Sequence, residues 1–409
     1  MNPKLREVRA QPMAHREQKG ILLTDPLGVS EKALFIPHAL APLLALLDGS
    51  RDLGTIRTGF ELRTGIPIST PVLENLVSQL DSAQLLDNEH FAQAYRAAIE
   101  DFRIAASRQP VLASNCYPAD PKELTAVLQG YFDNVEGVDL RTAGAILGII
   151  SPHIDFARGW PVYAKTWANA APAIKEEQAE LIVILGTDHN GRDGAITLTH
   201  QNYETPWGIL PTDREIVSEI ARSIGEADAF RDELHHRGEH SIEAALIWLQ
   251  YVLGDMQCNI VPILCGSFQS FIDRSESASE DTSISATIEA LRKVVALRRT
   301  IIVAAADLAH VGPAFGDTLP LDITGRARLA KQDHQLLDIL SQGNAEAFFQ
   351  EIRAESDRRR ICGMPPIYIA LSALSEVKGN VTGYTQCPAS EDGGSLVSIC
   401  GVLYHSHTS

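Results

Sequence analysis

Apolar positions along the 409-residue chain follow two different rhythms. Between about Gly20 and Phe102 they recur at helical spacing after two short runs. GILLTD and KALFIP predict two strands. ALAPLLALLDG, DLGTIRTGFELRTG and TPVLENLVSQLDSAQLL predict three helices, two closed by Gly and the third opened by Pro71 at a first helical position. Two strands and three helices predict a small winged-helix-like domain over residues 1–107. From Ala145 onward the pattern alternates. Continuous apolar runs at Ala145–Ile150, Leu181–Leu185, Ile260–Leu264 and Thr300–Ala305 are separated by helical stretches such as Ile242–Leu253 and Thr287–Ala296. Strands apolar on both faces and spaced by helices predict an α/β domain over residues 108–409, with a central, mostly parallel sheet flanked by helices. Ser275–Ser285, SESASEDTSIS, predicts a mobile polar loop.

In such sheets ligands gather outside the carboxyl ends of the strands. Three of the four runs deliver candidate chemistry there: His153 after Ser151-Pro152, Asp188 and His189 after Gly186-Thr187, and Asp307 and His310 after Ala305. Cys362 lies in RRRICGMPPIYIALSAL, just before a helix opened by Pro365-Pro366. The positive end of that helix and the three preceding arginines favour a thiolate, the form that binds metals. Two imidazoles and one anionic donor leave positions open on an iron(II) ion. His153, His189 and Cys362 are the expected metal ligands. Asp307 is expected to orient an imidazole and His310 to act as general acid or base. In HHRGEHSIEAALIWLQY, Glu239, His240 and Glu243 stand at a helix start. They serve either the helix dipole or, through His240 at the pocket rim, catalysis. Trp207 in ETPWG walls the pocket or packs.

Composition narrows the partners. The net charge of −17 argues against nonspecific nucleic-acid binding and against an anionic membrane surface. No apolar run approaches a membrane span of roughly 18 residues, and the polar opening MNPKLREVRAQPMAHREQKG carries no apolar signal core, so a cytoplasmic location is expected. The six cysteines are dispersed without a CxxC pair and are read as reduced thiols.

The motifs SPHIDFARG, LGTDHNG, YETPWGILPTD, EHSIEAALIWLQ, IVPILCG, AAADLAHVGPAFG and RRICGMPPI run in this order between about Ser114 and His405. Together they resemble the Memo family, specifically the proteins called AmmeMemoRadiSam system protein B. That family is similar in fold to class III extradiol dioxygenases. The resemblance implies His153 and His189 as the two histidine ligands, Cys362 at the place of the carboxylate, and His310 with Asp307 as the acid/base pair. PHIDF stands where PHAGY is common and GTDHN where GPSHH is common, so Asp155 and Asp188 add acidity near the site. The N-terminal part resembles PqqD-type modules. The resulting expectation is a mononuclear site for iron(II), with copper and zinc as alternatives, acting in redox chemistry on a small or peptide substrate. The competing reading is a non-catalytic peptide- or partner-binding module with a vestigial metal site, the N-terminal domain serving as adaptor. A third is a hydrolase using zinc-activated water.

Overall fold

The computed structural model describes residues 2–15, 18–137, 145–177, 179–274 and 276–406. The chain divides into two compact units, Met1–Ala105 and Ala106–Ser409. In the first, strands β1 (Arg9–His15), β2 (Gln18–Thr24) and β3 (Leu34–Pro37) form an antiparallel sheet in sequential order. Its core joins Leu23 and Ile36 of the sheet to Ile56 and Phe60 of the helix Leu53–Thr64 and to Leu73, Leu76 and Leu80 of the helix Thr70–Ser82. Asp52 caps the first of these helices through the Thr55 N–H at 2.7 Å, and Gly65 closes it at φ +70°. The helix Glu89–Ile104 and strand β1 lay outside the predicted elements. β1 is exposed along its whole length, so no apolar alternation announces it.

The second unit is built on eight strands: β4 (Ile146–Ser151), β5 (Leu181–Thr187), β6 (Ile196–Leu198), β9 (Asn259–Cys265), β10 (Thr300–Ala305), β11 (His310–Val311), β12 (Val377–Pro388) and β13 (Leu396–Ser406). A separate hairpin pairs β7 (Tyr203–Thr205) with β8 (Gly208–Leu210). The order is β11-β13-β4-β10-β5-β9-β6, with β12 against β13. β4, β10, β5 and β9 are parallel, and β13 and β6 flank them antiparallel. Successive residues of the parallel strands feed two cores. Val183, Leu185, Ile302 and Ala304 face the helices Arg214–Ile224, Thr282–Leu297 and Met364–Leu374. Ile182, Ile184, Ile301 and Val303 face the helices Phe156–Glu177 and Ser241–Leu253. A strand buried on both faces has no polar alternation, which is why these four appear in the sequence as unbroken apolar runs. The α/β expectation holds.

The Ser275–Ser285 expectation does not hold where it can be followed. Ala278–Glu280 is a 3-10 turn with Ala278 buried, and Asp281 caps the helix from Thr282. Ser275 lies outside the described residues. A cluster of Ser and Asp marks a helix start as readily as a loop, since both use the same side-chain-to-backbone bonds. Among the described residues no helix is long and apolar enough to cross a membrane.

Candidate metal centre

The site follows from strand register. Ala305 of β10 pairs with Ser151 of β4 on one side and Gly186 of β5 on the other, so three neighbouring strands stop level. His153, Asp307 and His189 leave from these ends. His153 is 3% exposed. Its Nδ1 lies 3.0 Å from the Ala305 carbonyl, which can only accept, so Nδ1 carries hydrogen and Nε2 faces the cavity. Asp307 Oδ1 accepts the His153 backbone N–H at 2.8 Å, and Oδ2 stands 3.7 Å from Nε2.

A third imidazole arrives from a helix. His240 immediately precedes the helix Ser241–Leu253, which packs on β5 so closely that a Cβ on Gly186 would meet Ser241 Oγ and Ile242 Cγ1 at 2.6 Å. Ser241 Oγ donates to the Thr187 carbonyl at 2.8 Å. The ring centroids of His153, His189 and His240 are 4.9–5.6 Å apart. One ligand nitrogen from each falls within 4.8 Å of the others, so these three could hold a metal ion. His240, expected at the pocket rim, therefore stands among the candidate ligands.

Cys362 lies outside that group of three but beside it, with Sγ 3.4 Å from His153 Nε2. Its segment is laid against the strand ends by the Gly363 N–H to the Asp307 carbonyl, 3.0 Å, and the Thr187 hydroxyl to the Cys362 carbonyl, 3.0 Å. A Cβ on Gly363 would lie 2.5 Å from that same Asp307 oxygen. Burial opposes a charge on either partner, but each stabilises the other. The carboxylate of Asp307 and the sulfur of Cys362 raise the His153 imidazole to about 9, and His153 and His310 hold the Cys362 thiol well below its usual range. Two of the three arginines expected to favour the thiolate are engaged elsewhere. Arg359 is buried against Asp333 at 2.6 Å and Glu355 at 2.5 Å, and Arg360 pairs with Asp317 at 2.5 Å.

His310 lines the same cavity of about 570 Å³, with His153, His189, His240, Asp307, Asp155 and Arg158. Its Nδ1 lies 3.2 Å from the carbonyls of Leu308 and Arg360, which leaves Nε2 for the cavity. Asp155 pairs with Arg158, whose guanidinium also reaches the Pro388 carbonyl at 2.7 Å. Asp188, expected to add acidity, is 4% exposed, bonded to His235 Nδ1 at 2.8 Å, and absent from the cavity lining. Trp207 also stays off the cavity, donating to Thr125 Oγ1 at 3.0 Å on the helix Pro121–Asn134.

Two supporting groups carried no sequence signal beyond a charge at a helix start. Glu239 accepts from His189 and His240, and Glu243 forms a buried pair with Arg108. A charged residue within an apolar helix, as Glu243 is in SIEAALIWLQ, is the kind of mark that points to a buried partner.

The loop before Cys362 holds Ser356, Asp357 and Arg360 at positive φ. Burial and the nearby charges of Glu355 and Cys362 push Asp357 up to about 6, although the Ile361 N–H at 2.9 Å works against this. The folded chain thus keeps a proton on Asp357 up to about pH 6 that the unfolded chain releases near 3.8. Stability falls as pH rises through that window and stays lower above it. Asp357→Asn keeps the acceptor and suits φ +44°. It should raise the stability of the metal-free protein above pH 6 by on the order of 1–2 kcal/mol and leave it unchanged near pH 3. Urea titrations at both pH values check this.

A parallel sheet whose level strand ends carry converging imidazoles defines an α/β protein with a candidate metal centre. Residues 108–403 match the family of Memo-like proteins, and the chain belongs to that family. A MEMO1 family protein of Aquifex aeolicus is 27% identical over 99% of this chain and 100% of its own length, so that relative spans the small N-terminal unit too. MEMO1 family proteins of Thermococcus kodakarensis and Methanopyrus kandleri are 31% and 26% identical over 60% and 73% of this chain, covering 80% and 98% of their own lengths.

Proposed function

We propose that this protein is a mononuclear metal protein of extradiol-dioxygenase type, of the kind called AmmeMemoRadiSam system protein B, with iron(II) or copper as its ion and a redox role on a small substrate. The supporting observation is the convergence of His153, His189 and His240 beside Cys362. On a tetrahedral first-row ion, bonds of roughly 2.0 Å to imidazole and 2.3 Å to thiolate place the two donor atoms about 3.5 Å apart. Cys362 Sγ and His153 Nε2 are 3.4 Å apart. Zinc fits the same donors, but a soft thiolate among imidazoles also suits copper, and histidines beside an anionic donor suit iron(II).

Bound there, the ion would supply Lewis acidity and a change of oxidation state. The remaining work belongs to the chain. Asp307 holds His153 in place through its backbone N–H. His310, its Nδ1 committed to carbonyls, moves a proton at Nε2. Leu112, Ile154, Phe315 and Val397 give the cavity an apolar wall that excludes water from one side.

Metal-free protein reconstituted anaerobically with iron(II), copper and zinc in turn should take up about one equivalent per chain. Cys362→Ser should weaken copper most. Uptake of none of the three overturns the reading, and a preference for zinc that Cys362→Ser leaves unchanged overturns the redox part. Oxygen consumption with catechol-like compounds then tests turnover.

A further inference from the structure

Glu239 is 3% exposed and holds no place in the candidate ligand set, yet six donor contacts converge on its carboxylate. Oε1 accepts the backbone N–H of His240 at 2.7 Å and of Ser241 at 3.0 Å, and lies 3.0 Å from His240 Nδ1. Oε2 accepts the backbone N–H of His189 at 3.0 Å and lies 3.0 Å from His189 Nδ1, which is also 3.1 Å from Oε1. Capping of the helix Ser241–Leu253 accounts for the two backbone bonds to Oε1. It does not account for Oε2, which serves His189 on a different strand end.

A carboxylate only accepts, so an imidazole nitrogen facing it must carry hydrogen. In the neutral ring the other nitrogen is then a bare lone pair, and both rings line the cavity. We infer that Glu239 is the positioning residue that fixes His189 and His240 in the Nδ1–H tautomer and thereby makes their Nε2 atoms available to a metal. The inference rests on the metal reading only for its consequence. The tautomer itself is a property of the metal-free chain.

Glu239→Gln separates this role from capping. The amide oxygen can still accept the two backbone N–H groups at the helix start. The amide nitrogen then takes the place of Oε2, where it opposes the His189 backbone N–H and can only donate to Nδ1. Oε1, 3.1 Å from Nδ1, is already taken up by the His240 and Ser241 N–H groups, so the hydrogen of His189 is favoured on Nε2. A ligand nitrogen blocked by hydrogen, with its outer partner lost, weakens metal binding by about 10–100-fold.

The test is long-range proton–nitrogen NMR on histidine-labelled, metal-free protein at a pH where the rings are neutral, with His189 identified by its loss in His189→Asn. The expected result is Nδ1–H for His189 in the wild type and Nε2–H in Glu239→Gln, with zinc affinity lowered by about 10–100-fold and thermal melting lowered by the unpaired His189 N–H. A wild-type His189 in the Nε2–H form overturns the inference without any variant, and so does a Glu239→Gln protein with wild-type tautomer and affinity. If the wild type takes up no metal, the proposed function fails, while the His189 tautomer still decides the role of Glu239.

Discussion

Replacing both His153 and His189 with alanine will lower affinity for iron(II), copper and zinc by at least about 1000-fold. Loss of a carboxylate behind a ligand costs about 10–100-fold, and loss of the ligand itself costs more, so two together exceed that range. The remaining donors, His240 and Cys362, come from two separate segments. His240 is a partly exposed ring whose hold on position depends on Glu239. The two substitutions differ in their effect on stability. His189 is part-exposed, whereas His153 fills a buried place between Asp307 and Cys362. Competition against a chromophoric chelator measures the affinity, and melting of the metal-free proteins separates binding from folding. Equal affinity in wild type and double variant would remove these rings from the site.

Arg108→Ala will destabilise the second unit by about 3–5 kcal/mol, because it leaves a buried carboxylate without its counter-charge. The side chains of Arg108 and Glu243 are 0% and 1% exposed. Glu243 also accepts the N–H groups of Val111 at 2.8 Å and Leu112 at 2.9 Å and the Tyr117 hydroxyl at 2.5 Å. Arg108 in turn donates to the carbonyls of His236, at 3.0 Å, and Glu239. The pair therefore fixes the backbone that presents Glu239 and His240 to the cavity. Metal affinity should fall along with stability. Replacing both partners together, as Arg108→Met/Glu243→Gln, should cost less than Arg108→Ala alone, since no orphaned charge remains and the amide oxygen can still accept from the donors that Glu243 serves. Urea unfolding of both variants checks the difference, and a single variant no worse than the double would show that the pair contributes little.

The four parallel strands were legible because burial on both faces leaves an unbroken apolar run, and the chemistry was legible because His153, His189 and Asp307 follow such runs directly. The entry of β13 beside β4 was not. A run such as LVSICGVLYHS carries no mark of whether its neighbour lies parallel or antiparallel, or in which place of the order. His240 was noticed as a helix-start residue, but its meeting with His189 depends on how closely a helix approaches Gly186. That approach is a tertiary fact. The three arginines before Cys362 misled for the same reason. Adjacency in the chain suggested a field on the sulfur, but the side chains of Arg359 and Arg360 reach Asp333, Glu355 and Asp317. The sulfur's real neighbours come from segments roughly 50 and 200 residues away in the chain, a distance local pattern does not span.

The pairing of Val402 with Ile150 has a consequence for how the chain is made. Until β13 emerges from the ribosome, roughly 250 residues after β4, the latter keeps one margin of amide and carbonyl groups unoccupied. Nascent chains stalled short of that point would display a long-lived adhesive border, open to strands of neighbouring polypeptides and to chaperones.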